Sequence, residues 1–132
     1  MADKVKVGPL GEELVVRFLM KRGFKILDRN FRRKWGELDV VAEQNGNIHF
    51  IEVKAFQHND ALYGVSTETH DSLRPEDNVH PQKLKRLGRA VQTYLMARHV
   101  SDETPWQFDV VTVHINTHTK QARVKLLEDL VL

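Results

Sequence analysis

The first run of alternating apolar and polar positions predicts an amphipathic helix over residues 9–22. Pro9 suits the first helical turn, and Gly23 is placed to end the helix. The helical repeat gives this segment a solvated face and an apolar face. The solvated face is formed by Glu13, Arg17 and Lys21. The apolar face is formed by Val15, Val16 and Leu19. Glu12 shares the apolar face, so this carboxylate is expected to point inward.

A β-hairpin is predicted next, after a short apolar strand at Phe24–Leu27 and a polar, basic connection at Arg29–Lys34. Strand-like segments follow at Gly36–Glu43 and Ile48–Lys54. Asn45-Gly46 lies between them, and this dipeptide is a strong signal for a two-residue hairpin turn. The sequence therefore predicts an antiparallel pair of strands at the centre of the first half.

The second half of the chain predicts one helix and two strands after a long connection at 55–79. A connection of this length in a small domain is usually functional or mobile. The helix spans 81–98, with an apolar stripe formed by Leu84, Leu87, Val91 and Leu95. Strands follow at Phe108–Ile115 and Gln121–Leu127. Because no repeat or linker divides the chain, we expect a single α/β domain over 1–132.

The composition narrows the class of protein. The chain is 41% hydrophobic and 29% charged, which is ordinary for a soluble globular domain. It has no cysteine, which excludes disulfides and thiolate-bound zinc. It also has no apolar run near the roughly 20 residues that span a bilayer, and Met1–Gly8 lacks the apolar stretch of a secretory signal. We therefore expect a cytoplasmic protein without a membrane partner.

The turn at Asn45-Gly46 also sets a register for the hairpin. Counting outward from it puts Asp39 opposite Glu52 and Glu37 opposite Lys54. Because side chains alternate along a strand, these four charged groups are expected to share one face. The apolar neighbours follow the same rule: Val41 and Phe50 should cover that face, and Leu38 and Val40 should lie on the other.

Two carboxylates placed directly opposite each other repel, so Asp39 and Glu52 need a compensating positive charge. Mg²⁺ or Mn²⁺ would supply it, since Mg²⁺ takes one or two carboxylates together with waters and phosphate oxygens. Lys54 would add an ammonium group for a phosphate. Glu12 either completes this cluster or is a helix-end carboxylate stabilised by the helix dipole. The alternative for the whole site is a surface hairpin in which Lys54 pairs with Glu37.

Two basic clusters flank the acidic hairpin, and their distribution is more informative than the net charge of +2. They are formed by Arg29, Arg32, Arg33 and Lys34, and by Lys83, Lys85, Arg86 and Arg89. The residues expected to bind nucleic acid are Arg32, Arg33, Lys34, Lys83, Lys85 and Arg86. The second cluster opens the second helix, where cations are unfavourable unless an anion such as phosphate is bound. The clusters favour a nucleic-acid partner, and a solvated basic face is the alternative.

Two further side chains are expected to be structural. Trp35 is predicted to pack at the rim of the core, although stacking on a base is open to it. Asp109 lies in an apolar strand, so we expect it to pair with a basic group; a catalytic role is the alternative.

Several short motifs resemble the YraN family, which comprises small endonuclease-like bacterial proteins. The motifs are Gly11-Glu12, Asn30-Phe31, Gly36-Glu37-Leu38-Asp39 and Ile51-Glu52-Val53-Lys54, with later matches at Lys83, Tyr94-Leu95 and Phe108-Asp109-Val110-Val111. They occur in order across nearly the whole chain, which makes the resemblance specific.

The resemblance implies a restriction-endonuclease-like fold, with a central mixed β-sheet of about five strands flanked by helices, similar to archaeal Holliday junction resolvases. It gives Asp39, Glu52 and Lys54 the three places of the PD-(D/E)xK motif and makes Glu12 the glutamate of the first helix. It further implies Mg²⁺ or Mn²⁺ held by the three carboxylates. The implied reaction is endonucleolytic hydrolysis of DNA, including branched or junction DNA, and a homodimer follows by analogy with the resolvases.

Two positions depart from the motif. Leu38 replaces the proline that usually precedes the first aspartate, and Phe56 replaces an arginine often found two residues beyond the lysine. The second departure concerns substrate contacts and favours the alternative function, a nucleic-acid-binding accessory module that keeps the fold without catalysis. The intact Asp39, Glu52 and Lys54 favour the nuclease.

Overall fold

Two helices pack on opposite faces of a five-stranded sheet in the computed structural model, which describes residues 7–58 and 81–130. The elements in chain order are α1 (Val7–Lys21), β1 (Lys25–Arg33), β2 (Gly36–Gln44), β3 (Asn47–His58), α2 (Pro81–Ala97), β4 (Trp106–Asn116) and β5 (Gln121–Leu130). The strands lie in the order β1-β2-β3-β4-β5. β3 and β4 are parallel, whereas the other neighbours are antiparallel. This mixed sheet confirms the predicted α/β fold class.

Each face of the sheet has its own apolar cluster. The cluster under α1 contains Val15, Val16, Leu19, Phe24, Val40, Ala42, Ile51, Val111, Val113 and Ile115. The cluster under α2 contains Phe31, Leu38, Val41, Ile48, Phe50, Leu87, Ala90, Val91, Tyr94, Phe108 and Val110. β3 and β4 contribute to both clusters because successive side chains point to opposite faces. In the described residues, neither helix is long and apolar enough to cross a membrane.

Two glycines let the helices approach the sheet closely. A Cβ on Gly11 of α1 would lie 2.9 Å from the Cβ of Ala55 in β3. A Cβ on Gly36 of β2 would lie 2.8 Å from the carbonyl oxygen of Arg86 in α2. Both distances are shorter than a carbon atom tolerates, so only glycine permits this packing. The two contacts bring α1 and α2 against the end of the hairpin away from its turn.

The prediction of a polar connection at Arg29–Lys34 is wrong, since β1 continues to Arg33 and pairs with β2. β1 is an edge strand, and Phe31 is its single buried residue. An edge strand with mostly exposed side chains lacks the apolar alternation by which strands are recognised. The long connection also begins later than predicted, because β3 runs to His58 beside β4. The rest of it, from residue 59, lies outside the described residues.

The hairpin turn and its register are confirmed near the loop. Asn45 and Gly46 have φ values of 54° and 79°, as this tight turn requires. The pairs between β2 and β3 run from Gln44–Asn47 to Val40–Ile51 in the predicted register. The ladder ends there, so the predicted pairs Asp39–Glu52 and Glu37–Lys54 are not backbone partners. Asp39 therefore lies just beyond the regular part of the hairpin.

The prediction that Leu38 and Val40 share a face is also wrong, because Leu38 packs under α2 and Val40 under α1. The alternation of β2 therefore breaks at Asp39. The neighbouring residue in β1 is Asn30, which has a φ of 54° and is absent from the ladder between Arg29–Val40 and Phe31–Leu38. A left-handed residue interrupts the pleat of a strand, and the break frees the Asp39 side chain from both apolar clusters.

Candidate active site

Asp39, Glu52 and Lys54 line one cavity of about 360 Å³ between the open end of the hairpin and α2. Glu52 and Lys54 reach it from the α2 face of β3, two residues apart on one strand. Asp39 reaches it from the irregular position in β2. Its lining also includes Glu37, Lys83 and Arg86. The fold thus brings together the acidic and basic groups that the sequence placed near each other.

The Asp39 side chain is hydrogen-bonded to β3 just beyond the point where the backbone pairing of β2 and β3 ends. Its Oδ2 accepts a hydrogen bond of 2.8 Å from the backbone N–H of Val53. The pKa of Asp39 is raised to about 6, chiefly by burial and also by the negative charges of Glu52 and Glu12, although the Val53 hydrogen bond opposes the rise. Asp39 therefore sits where negative charge accumulates, and a cation there would favour its ionised form.

Glu52 is a buried carboxylate with an unusual environment. Its Oε2 lies 3.1 Å from Nζ of Lys54 and 2.9 Å from Nζ of Lys83. Neither ammonium group meets the angular geometry of a hydrogen bond, so this buried oxygen has no hydrogen-bond partner. Two ammonium groups therefore balance the charge of this buried oxygen.

Lys54 does not pair with Glu37. The alternative of a surface hairpin with a Lys54–Glu37 ion pair is therefore excluded. The ion pair of Lys54 is with the buried Glu52. The Glu37 carboxylate instead lies 3.5 Å from Nε of Arg32 on the neighbouring strand. The reason is that the β2–β3 ladder ends before Glu37 and Lys54 would face each other.

Lys83 belongs to this cavity, although the sequence placed it in a basic cluster on α2. Burial lowers the pKa of Lys83, but the carboxylates of Glu52 and Asp39 outweigh burial, so the pKa is raised. One sequence signal could have found this contact. Lys83 precedes Leu87 by four residues and so lies on the helix stripe that faces the sheet.

Glu12 approaches Asp39 from the other side of the sheet. It lines a second cavity, of about 440 Å³, which Asp39 and Arg32 also line. Its Oε1 lies 3.9 Å from Nη2 of Arg29. Asp39 therefore lies between two cavities, with Glu12 on the α1 side and Glu52 on the α2 side. Within 7–58 and 81–130, no three acidic, histidine or cysteine side chains lie close enough together to hold a metal ion.

The donors around Asp39 and Glu52 fit Mg²⁺ or Mn²⁺. Carboxylate oxygens are the ligands that these hard cations prefer, and Mg²⁺ needs only one or two of them beside water and phosphate. The raised pKa of Asp39 reflects burial as well as neighbouring negative charge, and a divalent cation beside Asp39 and Glu52 would offset that charge. Asp39 and Glu52 would hold the ion, with Glu12 on its outer side.

The predicted nucleic-acid-binding residues differ in their placement. Arg32, Arg33 and Lys34 are exposed at the end of β1 and in the turn that follows. The guanidinium group of Arg33 lies 4.1 Å from the centre of the Phe31 ring. On α2, Arg86 lines the cavity of Asp39 and Glu52, whereas the exposed Lys85 does not. Among the predicted residues, Lys83 and Arg86 therefore line the cavity of Asp39 and Glu52, and Arg32 lines the cavity on the α1 side.

Trp35 packs at the rim of the core, as expected. Its Nε1 donates a hydrogen bond of 3.3 Å to Oγ1 of Thr93, and the Arg89 guanidinium lies 4.5 Å from its ring centre. These contacts join the turn after β1 to α2.

Asp109 lies outside the candidate site. Its partner is His49, whose Nδ1 is 2.6 Å from Asp109 Oδ2. The pair is buried between β3 and β4 and matches the structural role expected for Asp109. The alternation along β3 places His49 among apolar residues, but no sequence pattern indicated that His49 pairs with Asp109.

Comparison with known proteins agrees with the motifs. The model of the family described as "Uncharacterised protein family UPF0102" matches residues 11–113. The chain belongs to the UPF0102 family. A UPF0102 protein of Caldicellulosiruptor bescii is 34% identical over 125 residues, which cover 94% of this chain and 95% of the relative. One from Syntrophomonas wolfei is 40% identical over 90 residues, covering 68% of this chain and 69% of the relative. The UPF0102 match includes every acidic residue of the site, from Glu12 to Glu52.

Proposed function

We propose that this UPF0102 protein is a Mg²⁺- or Mn²⁺-dependent endonuclease that hydrolyses DNA phosphodiester bonds, with branched or junction DNA as its candidate substrate. One observation carries the proposal. Asp39, Glu52 and Lys54 line a single cavity, in which the buried Glu52 carboxylate lies beside the ammonium groups of Lys54 and Lys83. This arrangement suits a site that accepts a divalent cation beside a phosphate.

The proposed chemistry assigns a task to each side chain. A divalent cation held by Asp39 and Glu52 would polarise the phosphoryl oxygen and lower the pKa of a water molecule. Lys54 orients the attacking water and stabilises the negative charge that develops on the phosphate. The water oxygen forms a bond to phosphorus, one P–O ester bond breaks, and the leaving oxygen takes up a proton. The products are a phosphate monoester end and a hydroxyl end.

The basic residues support a nucleic-acid substrate. Lys83 and Arg86 of α2 line the cavity of Asp39 and Glu52, and such groups bind phosphates by releasing counterions. Arg32 lines the α1-side cavity and Arg86 the α2-side cavity, so cations stand on both sides of Asp39. A nucleic-acid backbone could therefore be held across the open end of the hairpin. The expectations of a homodimer and a cytoplasmic location stay predictions.

Replacing Lys54 tests the proposal. Lys54→Ala should lower the rate of DNA cleavage by about a hundredfold or more, because it removes an electrostatic contact to the reacting phosphate. The assay uses linear and branched DNA with Mg²⁺ or Mn²⁺. Lys125→Ala, at an exposed lysine of β5, is the matched control and should cleave like the wild type. Equal cleavage by Lys54→Ala and the wild type, in preparations purified identically, would count against the nuclease.

A DNA-binding accessory module is the second candidate, and Phe56 supports it. The ring of Phe56 stacks on His114 at 4.9 Å with an interplanar angle of 16°, at the position where an arginine would contact substrate. Calorimetric titration with Mn²⁺ separates the two candidates. Mn²⁺ uptake that Asp39→Asn abolishes supports the nuclease, whereas DNA binding without Mn²⁺ uptake supports the accessory module.

A further inference from the structure

Glu52 has two lysine partners, and they differ in their attachment and exposure. Lys54 is on the same strand as Glu52, and its side chain is 20% exposed. Lys83 comes from the facing helix α2, and its side chain is 39% exposed, although its Nζ is the nearer one at 2.9 Å. The Lys54 contact follows from strand geometry alone. The Lys83 contact needs another explanation, because it depends on how α2 packs against the sheet.

We propose that Lys83 exchanges partners when the site binds a divalent cation. Without the cation, Lys83 neutralises Glu52; with it, Lys83 leaves Glu52 and contacts a phosphate of the bound nucleic acid. The inference rests on the proposed function for the identity of the cation and of the polyanion. It adds a residue from α2 that links cation binding to nucleic-acid binding.

The exchange follows from the charge around one oxygen. Glu52 Oε2 already has two ammonium groups within 3.1 Å. A divalent cation at the same carboxylate would repel both of them. Lys83 can withdraw more readily, because its flexible stem reaches solvent from a separate element. Lys54 is fixed to the strand that carries Glu52, so it stays near the cation and the reacting phosphate.

The position of Lys83 on α2 favours a phosphate as its second partner. Lys83 is the third residue of the helix, where the positive end of the helix dipole is unfavourable for a lone cation and favourable for an anion. Arg86 lines the same cavity one turn later. Once separated from Glu52, the Lys83 ammonium group therefore lies beside the Arg86 guanidinium group and the positive end of the helix dipole. Both of these attract phosphate.

Mn²⁺ affinity tests the first half of the exchange. Lys83→Met removes the competing charge but keeps the length of the side chain, so calorimetry should show Mn²⁺ binding roughly tenfold tighter than in the wild type, a usual size for coupling between two sites. Lys85→Met is the matched control, because Lys85 is exposed on the same helix and does not line the cavity. Its Mn²⁺ affinity should equal that of the wild type. Unchanged or weaker Mn²⁺ binding by Lys83→Met, including none, overturns the proposal.

DNA affinity tests the second half of the exchange, in which Lys83 contacts a phosphate of the bound nucleic acid. Binding of a fluorescent duplex is measured by anisotropy over a range of salt concentrations, once with EDTA and once with Ca²⁺. For Lys83→Met, the slope of log affinity against log salt should fall by about one in Ca²⁺ and stay at the wild-type value in EDTA. Lys85→Met should change the slope equally in both conditions. An equal loss in both conditions for Lys83→Met makes Lys83 an ordinary phosphate contact and overturns the exchange.

These measurements do not depend on catalysis. If the wild type cleaves no DNA but Lys83→Met shows both effects, the partner exchange stands and the nuclease fails. If the wild type cleaves DNA and Lys83→Met shows neither effect, the nuclease stands and the exchange fails. Thermal unfolding followed by circular dichroism checks that Lys83→Met and Lys85→Met are folded like the wild type.

Discussion

Asp109 and Glu52 are two buried carboxylates, one residue apart in the register of β3 and β4, on opposite faces of the sheet. Asp109 pairs in the ladder with Ile51, and Glu52 pairs with Val110. Asp109 accepts three hydrogen bonds: one of 2.6 Å from His49, and two of 2.9 Å from the Gln107 side chain and the backbone N–H of Asp129. Glu52 Oε2 accepts none and has two ammonium groups instead.

The difference shows how one sheet uses buried acids in two ways. Asp109 has donors on both oxygens, so its environment is complete and leaves no place for a ligand. Glu52 is balanced by two lysines, of which Lys83 can turn toward solvent, so the cost of burying its charge is only partly offset. Incomplete environments of this kind are common at functional sites. Replacing each acid should separate the two roles.

The largest effect on the free energy of unfolding is expected from replacing Asp109. Asp109→Ala leaves His49 and Gln107 without their acceptor, so the free energy of unfolding should fall by about 3 kcal/mol. Urea unfolding followed by fluorescence measures it. Asp102→Ala, at an exposed acid, should change stability by less than about 0.5 kcal/mol. A loss below about 1 kcal/mol for Asp109→Ala would remove the contrast between the two carboxylates.

A smaller effect is expected at Asp39, and it depends on pH. Its pKa is about 6 in the folded protein, raised by burial from 3.8, so the folded state holds the proton more tightly than the unfolded chain. The free energy of unfolding of the metal-free wild type should therefore fall as pH rises from about 4 to about 6. Asn cannot ionise, so Asp39→Asn should lack this fall and should be more stable than the wild type at pH 7, by at most about 3 kcal/mol.

Urea unfolding at several pH values in EDTA measures this difference. Mn²⁺ should restore the stability of the wild type at pH 7 but not change that of Asp39→Asn. The same pH dependence in both proteins would show that Asp39 is not the group responsible.

The smallest effect on stability is expected at Glu52. Glu52→Gln removes a buried charge, while Lys54 and Lys83 can each reach water, so stability should change by less than about 1 kcal/mol. Mn²⁺ uptake in calorimetry should nevertheless be lost. Chemical unfolding and calorimetry on the same preparation make the comparison. A loss of stability as large as that of Asp109→Ala would make Glu52 a structural residue.

Local sequence patterns predicted the elements with strong signals. The Asn45-Gly46 turn, the strands beside it and both helices were identified because the turn and the helical repeat are properties of neighbouring residues. The mixed sheet of about five strands was predicted from the resemblance to a known family. β1 was missed in part, since an edge strand carries little apolar alternation. Asp39 and Glu52 were predicted from the hairpin register, although the ladder ends one pair before Asp39, and Glu12 was predicted from the apolar face of the first helix.

The sequence alone determined the turn, the register of the hairpin and the acids that follow from it, because these depend on residues close in the chain. Tertiary structure alone decided that Asn30 breaks the alternation at Asp39, that Lys83 joins Glu52 and that His49 joins Asp109. The last two contacts join residues that are 31 and 60 positions apart in the chain. Such pairs depend on how the helices and strands pack, which no local pattern records.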